Sequence, residues 1–154
     1  MRKFHKGKKG FTLIEVLVVV AIIGVLATII SLAAMAAVKS SQTNAAKTKL
    51  TNYWKLGAQI IDQVNLGFTT IKSPDQLSSL FAIRINADSK NVIVSDTVCS
   101  SLSDEQVYFQ YKYSPANKLH PYELKRITIV YKGQYYYTND GKIVTGPKDK
   151  LPTS

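Results

Sequence analysis

The chain has 154 residues, with 20 Lys or Arg against 10 Asp or Glu and a formal charge of +10. One Cys and two His exclude an intrachain disulfide framework and leave too few donors for a Cys/His metal centre, and the length suits one small core. Arg2, Lys3, Lys6, Lys8 and Lys9 all precede residue 11, so the remainder carries 15 basic against 10 acidic residues, and half of the net charge belongs to the first ten positions.

The next segment is apolar. From Phe11 to Val38, 28 residues contain no Lys, Arg, Asp, His or Pro, and Glu15 is the only charge. As a helix this run measures about 42 Å, against about 30 Å for the hydrocarbon core of a bilayer. The preceding cations hold the N-terminus in the cytoplasm and place everything after Lys39 outside. A carboxylate within such a span costs roughly 2.5–3.5 kcal/mol at mid-depth and less near an interface, so Glu15 requires compensation and is a functional candidate. Two simpler readings compete. A secretory signal cleaved after Ala34-Met35-Ala36, before Ala37, has a small-x-small site, but its apolar region should be about 7–15 residues. A plain single-span anchor fits the length and the basic flank but leaves Glu15 and the Gly10-Phe11 junction unexplained.

Lys8, Lys9, Gly10, Phe11, Thr12, Leu13, Ile14 and Glu15, with the Val/Ile/Ala-rich run through Gly24, resemble the type III signal of type IV pilins and pseudopilins. The resemblance covers about the first third of the chain, and the rest matches only in layout. It implies cleavage after Gly10 by a prepilin peptidase, N-methylation of Phe11, and retention of the apolar helix as the core of a filament, with Glu15 the assembly residue. Many Gram-negative relatives carry Pro where Leu32 stands, so a melted segment in the helix is not expected here. Many also close their C-terminal region with a disulfide. Cys99 is alone, which leans towards a Gram-positive type and leaves open an exposed thiol, an intermolecular link or a quiet buried side chain.

Lys39 to Asn65 lacks Pro, and Ala46, Leu50, Tyr53/Trp54, Gly57, Ile60/Ile61 and Val64 fall at steps of three and four. That spacing continues one helix from Phe11 to about Val64 with a single apolar stripe, stopped by Asn65-Leu66-Gly67. Trp54 reads as a core residue at this spacing. Ser73-Pro74-Asp75-Gln76 starts a short helix over Pro74 to Phe81. Strands follow at Val92 to Val94, at Val107 to Tyr113 by alternation, and at Ile127 to Tyr131 and Gln134 to Thr138 around the hairpin signal Lys132-Gly133. Asn139-Asp140-Gly141 turns into Lys142 to Thr145. The tail from about residue 146 has little to bury.

The expected fold is therefore α+β: a long N-terminal helix with a protruding hydrophobic half and an amphipathic half, the latter packed on an antiparallel meander of three or four strands. The divisions are a leader at 1–10, a transmembrane and assembly segment at 11–38, and a head at 39–154. No catalytic constellation, metal site or cofactor motif emerges. His5 lies in the leader, and Ser and Asp have no histidine to serve them. Lys125, Arg126 and Lys132 near Tyr131 and Tyr135 to Tyr137 are either a solvated sheet face or a patch for an anion such as DNA.

Two functions remain. The resemblance implies a membrane-held precursor that becomes an extracellular filament subunit, whose partners are its own copies, other pilins, the prepilin peptidase and the assembly platform of the cytoplasmic membrane. The alternative is a minor pilin or competence/secretion pseudopilin that binds DNA or a host surface through its Tyr/Lys-rich sheet. Motility, adhesion, secretion and DNA uptake all stay open.

Overall fold

A computed structural model describes residues 11–71, 73–87, 89–144, 150 and 151. The chain divides between Ser40 and Ser41 into two compact units. The first helix, α1, is Leu13–Asn65 and contributes to both. It closely matches the span expected from the apolar run and the stripe that follows. Every residue from Phe11 to Ser41 is exposed, and α1 is long and apolar enough to cross a membrane.

In the second unit the stripe of α1 is buried at Ala46, Leu50, Gly57, Ile60, Ile61 and Val64. The helix ends in a Schellman motif. Gly67 takes φ +77°, its N–H reaches the Val64 carbonyl at 3.1 Å, and the Phe68 N–H reaches that of Gln63 at 3.0 Å. A second helix, α2, covers Pro74–Ile85, one turn longer than the sequence suggests. It stops the same way, with Asn86 left-handed and the Ala87 N–H on the Ala82 carbonyl at 3.0 Å. The extra turn adds Ala82 to the buried set beside Leu77 and Phe81. Ser73 caps α2 in extended geometry without a side-chain cap hydrogen bond.

Five strands follow: β1 (Val92–Ser95), β2 (Val107–Tyr113), β3 (Tyr122–Tyr131), β4 (Gln134–Asn139) and β5 (Lys142–Ile143), in spatial order one to five. Thr145, expected to extend the last strand, lies outside the described residues, as does most of the tail. β2 to β5 form the anticipated antiparallel meander. β1 stands outside it: the strand pairs parallel to β2, Val94 opposite Phe109. The reversal needs a crossover, supplied by residues 96–106, whose Leu102 is buried and whose Thr97 carbonyl accepts the Tyr108 hydroxyl.

β3 begins five residues earlier than the alternation predicts, because it is bulged. Gln110 pairs with Arg126 and Tyr111 with Leu124, so Lys125 is the extra residue. A bulge changes which face a side chain meets, and here Leu124 and Ile127 are both buried in one core. Both hairpin turns hold two consecutive residues at positive φ, Lys132-Gly133 and Asp140-Gly141, the type I′ geometry that follows strand twist.

The core joins α1, α2 and one face of the sheet. Phe109 sits at its centre, its ring 4.4 Å from that of Phe81 and 6.3 Å from that of Tyr53. Each fully buried side chain of this kind contributes roughly 1.5–3 kcal/mol.

Candidate assembly site at the head of the first helix

Thr12 precedes the first helical residue, and Glu15 lies three positions later. One carboxylate oxygen of Glu15 accepts the Thr12 backbone N–H at 2.8 Å and the Thr12 hydroxyl at 3.0 Å. The Thr12 hydroxyl oxygen in turn accepts the Glu15 N–H at 3.4 Å. This is a reciprocal capping box, two otherwise orphaned donors satisfied by two side chains. The positive end of the helix dipole favours the carboxylate there. Thr12 was not singled out from the sequence, although Thr12-Leu13-Ile14-Glu15 is the Thr-x-x-Glu pattern that would have found it.

The other polar side chains of the apolar run are satisfied as well. The Thr28 hydroxyl donates to the Gly24 carbonyl at 2.9 Å, and that of Ser31 to the Ala27 carbonyl at 2.8 Å. Thr12, Glu15, Thr28 and Ser31 are the only polar side chains between Phe11 and Val38, and each is bonded within its own helix. That matters in lipid, where no water can serve an open donor or acceptor. Phe11 is 87% exposed. Gly10 and the rest of residues 1–10 lie outside the described residues.

The profile of the prokaryotic N-terminal methylation motif matches residues 5–37. This is the signature of type IV pilins and pseudopilins. The N-terminal segment is thus similar to that of type IV pilin-like proteins, over residues 5–37 of the 154. No curated protein and no solved structure matches the chain.

The head holds the remaining candidates. Trp54, expected in the core, is only partly buried and packs at its margin, against Gly141. Its position follows from the stripe: Leu50, Gly57 and Ile61 take the centre, and Trp54 falls on the flank. Of the basic residues near the tyrosines, Lys125 bonds Glu123 at 2.8 Å and Asp140 at 3.5 Å. Arg126 is buried, its guanidinium 5.7 Å from the Tyr137 ring centre and 3.4 Å from Asn139 Oδ1. Lys132 occupies an exposed turn, Tyr136 is buried, and Tyr131 lies under Lys49 Nζ at 5.1 Å. Lys125 and Arg126 are thus engaged inside the head rather than presented together.

Cys99 is partly buried and donates to the Ser101 carbonyl at 3.2 Å. Burial pushes its thiol pKa up, which keeps it protonated and slow as a nucleophile. Among the described residues no group of three His, Cys, Asp or Glu is placed to hold a metal.

Proposed function

We propose that this protein is a structural subunit of a type IV pilus or a related filament, polymerising through its apolar helix. The supporting observation is a coincidence. The methylation motif at residues 5–37 covers most of a helix segment whose apolar side chains are all exposed and whose polar ones are all satisfied internally. Such a surface suits lipid before assembly and the helices of other copies afterwards. Small residues such as Ala33, Ala34, Ala36 and Ala37 permit close helix approach.

In this reading a prepilin peptidase cuts between Gly10 and Phe11 on the cytoplasmic side and methylates Phe11. The assembly platform then extracts the subunit into a filament outside the cell, beside its own copies and other pilins. Glu15 exchanges its Thr12 hydrogen bonds for the Phe11 amine of an adjacent subunit. Two charges that are costly when unpaired neutralise each other on docking, and the requirement fixes the axial stagger. Intact-mass spectrometry of the cell-surface protein tests this: the expected mass starts at a methylated Phe11. A mature N-terminus at Met1 or Ala37 refutes it. Replacing Gly10 with a bulkier residue should leave a membrane-held precursor.

A minor subunit that contacts DNA through the Tyr/Lys-rich sheet receives less support, since Lys125 and Arg126 are already partnered within the head.

A further inference from the structure

The head carries an open groove of about 300 Å³ between α1 and the start of β3, at the small end of the range of about 300–1,000 Å³ for ligand pockets. Its floor is apolar, with Ala58 and Ile61 from α1 and Leu124 from β3. One wall is the Trp54 indole, set so close to Gly141 that a Cβ there would lie 3.1 Å from it. The other end is fixed by Asn65, whose carboxamide accepts the Tyr122 N–H at 3.0 Å and donates to the Tyr122 carbonyl at 2.9 Å. Both walls are therefore held before a ligand arrives, which lowers the ordering cost of binding.

The rim is negative. Asp62 and Glu123 line the groove, and Asp140 adjoins the glycine on which Trp54 rests. Lys125 is shared between Glu123 and Asp140. The Asp62 carboxylate has no hydrogen bond or ion pair among the described residues. Asn117 and His120 complete the lining; with Glu123 paired to Lys125, Asp62 is left as one uncompensated negative charge among the described residues, on a chain whose total is +10. Such a rim repels phosphates and attracts cations. An alkyl chain fits the apolar floor while its charged end stays in water at the rim, and the face of Trp54 offers a cation–π contact. A neutral sugar could stack on the indole but would leave the negative excess unanswered.

We propose that this groove binds the ammonium-tipped side chain of a lysine presented on an extended peptide. The inference does not depend on the polymerisation reading, since it concerns the head alone. Trp54 is the only tryptophan in the chain, so its fluorescence reports the groove directly. Full-length protein in nonionic detergent micelles should show a saturable emission change with the blocked tripeptide Gly-Lys-Gly and none with Gly-Gln-Gly or methyl glucoside. Asp62→Asn with Glu123→Gln should weaken the lysine peptide roughly tenfold, the combined effect of two exposed charge pairs. Unchanged circular dichroism would confirm that the variant is folded. No saturable change with the lysine peptide, or equal affinity in the variant, overturns the proposal. So does an equal response to the glutamine peptide. A response to the glucoside instead would make the groove a carbohydrate site and overturn it equally.

Discussion

Gly57 sits where three side chains converge. A Cβ on it would lie 3.0 Å from Leu124 Cδ2 and 3.3 Å from the rings of Phe109 and Phe81. Glycine within a helix ordinarily costs about 1 kcal/mol relative to alanine, so its presence here reflects contact rather than propensity. It lets α1 approach the sheet at a point where side chains of β2, β3 and α2 all meet the helix. Gly57→Val should therefore destabilise the head by about 1–3 kcal/mol through overpacking, read as a lowered thermal midpoint of the full chain in detergent. An unchanged or raised midpoint would mean that the three neighbours yield freely. The sequence placed Gly57 on the buried stripe but could not say that the position is crowded, because crowding depends on partners many residues away. Thr12 is the converse case. Its partner is three residues off, and the Thr-x-x-Glu spacing made the cap legible in principle.

The elements whose rules are local were readable from the chain. Lys132-Gly133 and Asp140-Gly141 specify their turns because few residue pairs tolerate two positive φ angles in succession. Gly67 marks the end of α1 for the same reason. The features that were missed are those set by tertiary pairing. The parallel placement of β1 depends on where a crossover delivers it, and the early start of β3 is hidden by a bulge that breaks alternation at Lys125. Asp140 supports that bulge, its N–H donating to the Lys125 carbonyl at 3.0 Å. The helix stripe was right in phase but wider than its core. Leu50 is fully buried, whereas Trp54 is at the margin. Leu50→Ala should thus cost about 2–5 kcal/mol. Trp54→Ala should cost clearly less than the roughly 3–5 kcal/mol of a fully buried Trp. Chemical denaturation of the two variants side by side checks the order. If Trp54→Ala proves the more damaging, the indole carries more of the packing than its exposure indicates, and the groove beside it is part of the core.

At the scale of the whole molecule, the two units present opposite physical problems. The head buries its apolar stripe against its own sheet. The segment from Phe11 to Val38 is exposed throughout among the described residues, a surface that suits lipid and, in the proposed filament, other copies. Glu15 is the one group there whose needs differ between those settings. In the isolated chain it is satisfied by Thr12, and in the proposed filament it is satisfied by an amine from a neighbour. Two substitutions separate these roles. Glutamine is accepted at the third position of a capping box, so Glu15→Gln keeps the hydrogen bonds to Thr12 while removing the charge. Thr12→Ala does the reverse, keeping the carboxylate and removing the cap at a cost of about 1 kcal/mol in helix stability. If docking is electrostatic, Glu15→Gln should insert into the membrane and be cleaved normally yet give few or no filaments as the only copy, whereas Thr12→Ala should still polymerise. Counting filaments by electron microscopy, with processing followed by mass, distinguishes the outcomes. Wild-type filament number and length from Glu15→Gln, with loss of filaments from Thr12→Ala, would assign assembly to the shape of the helix terminus and remove the need for a paired charge.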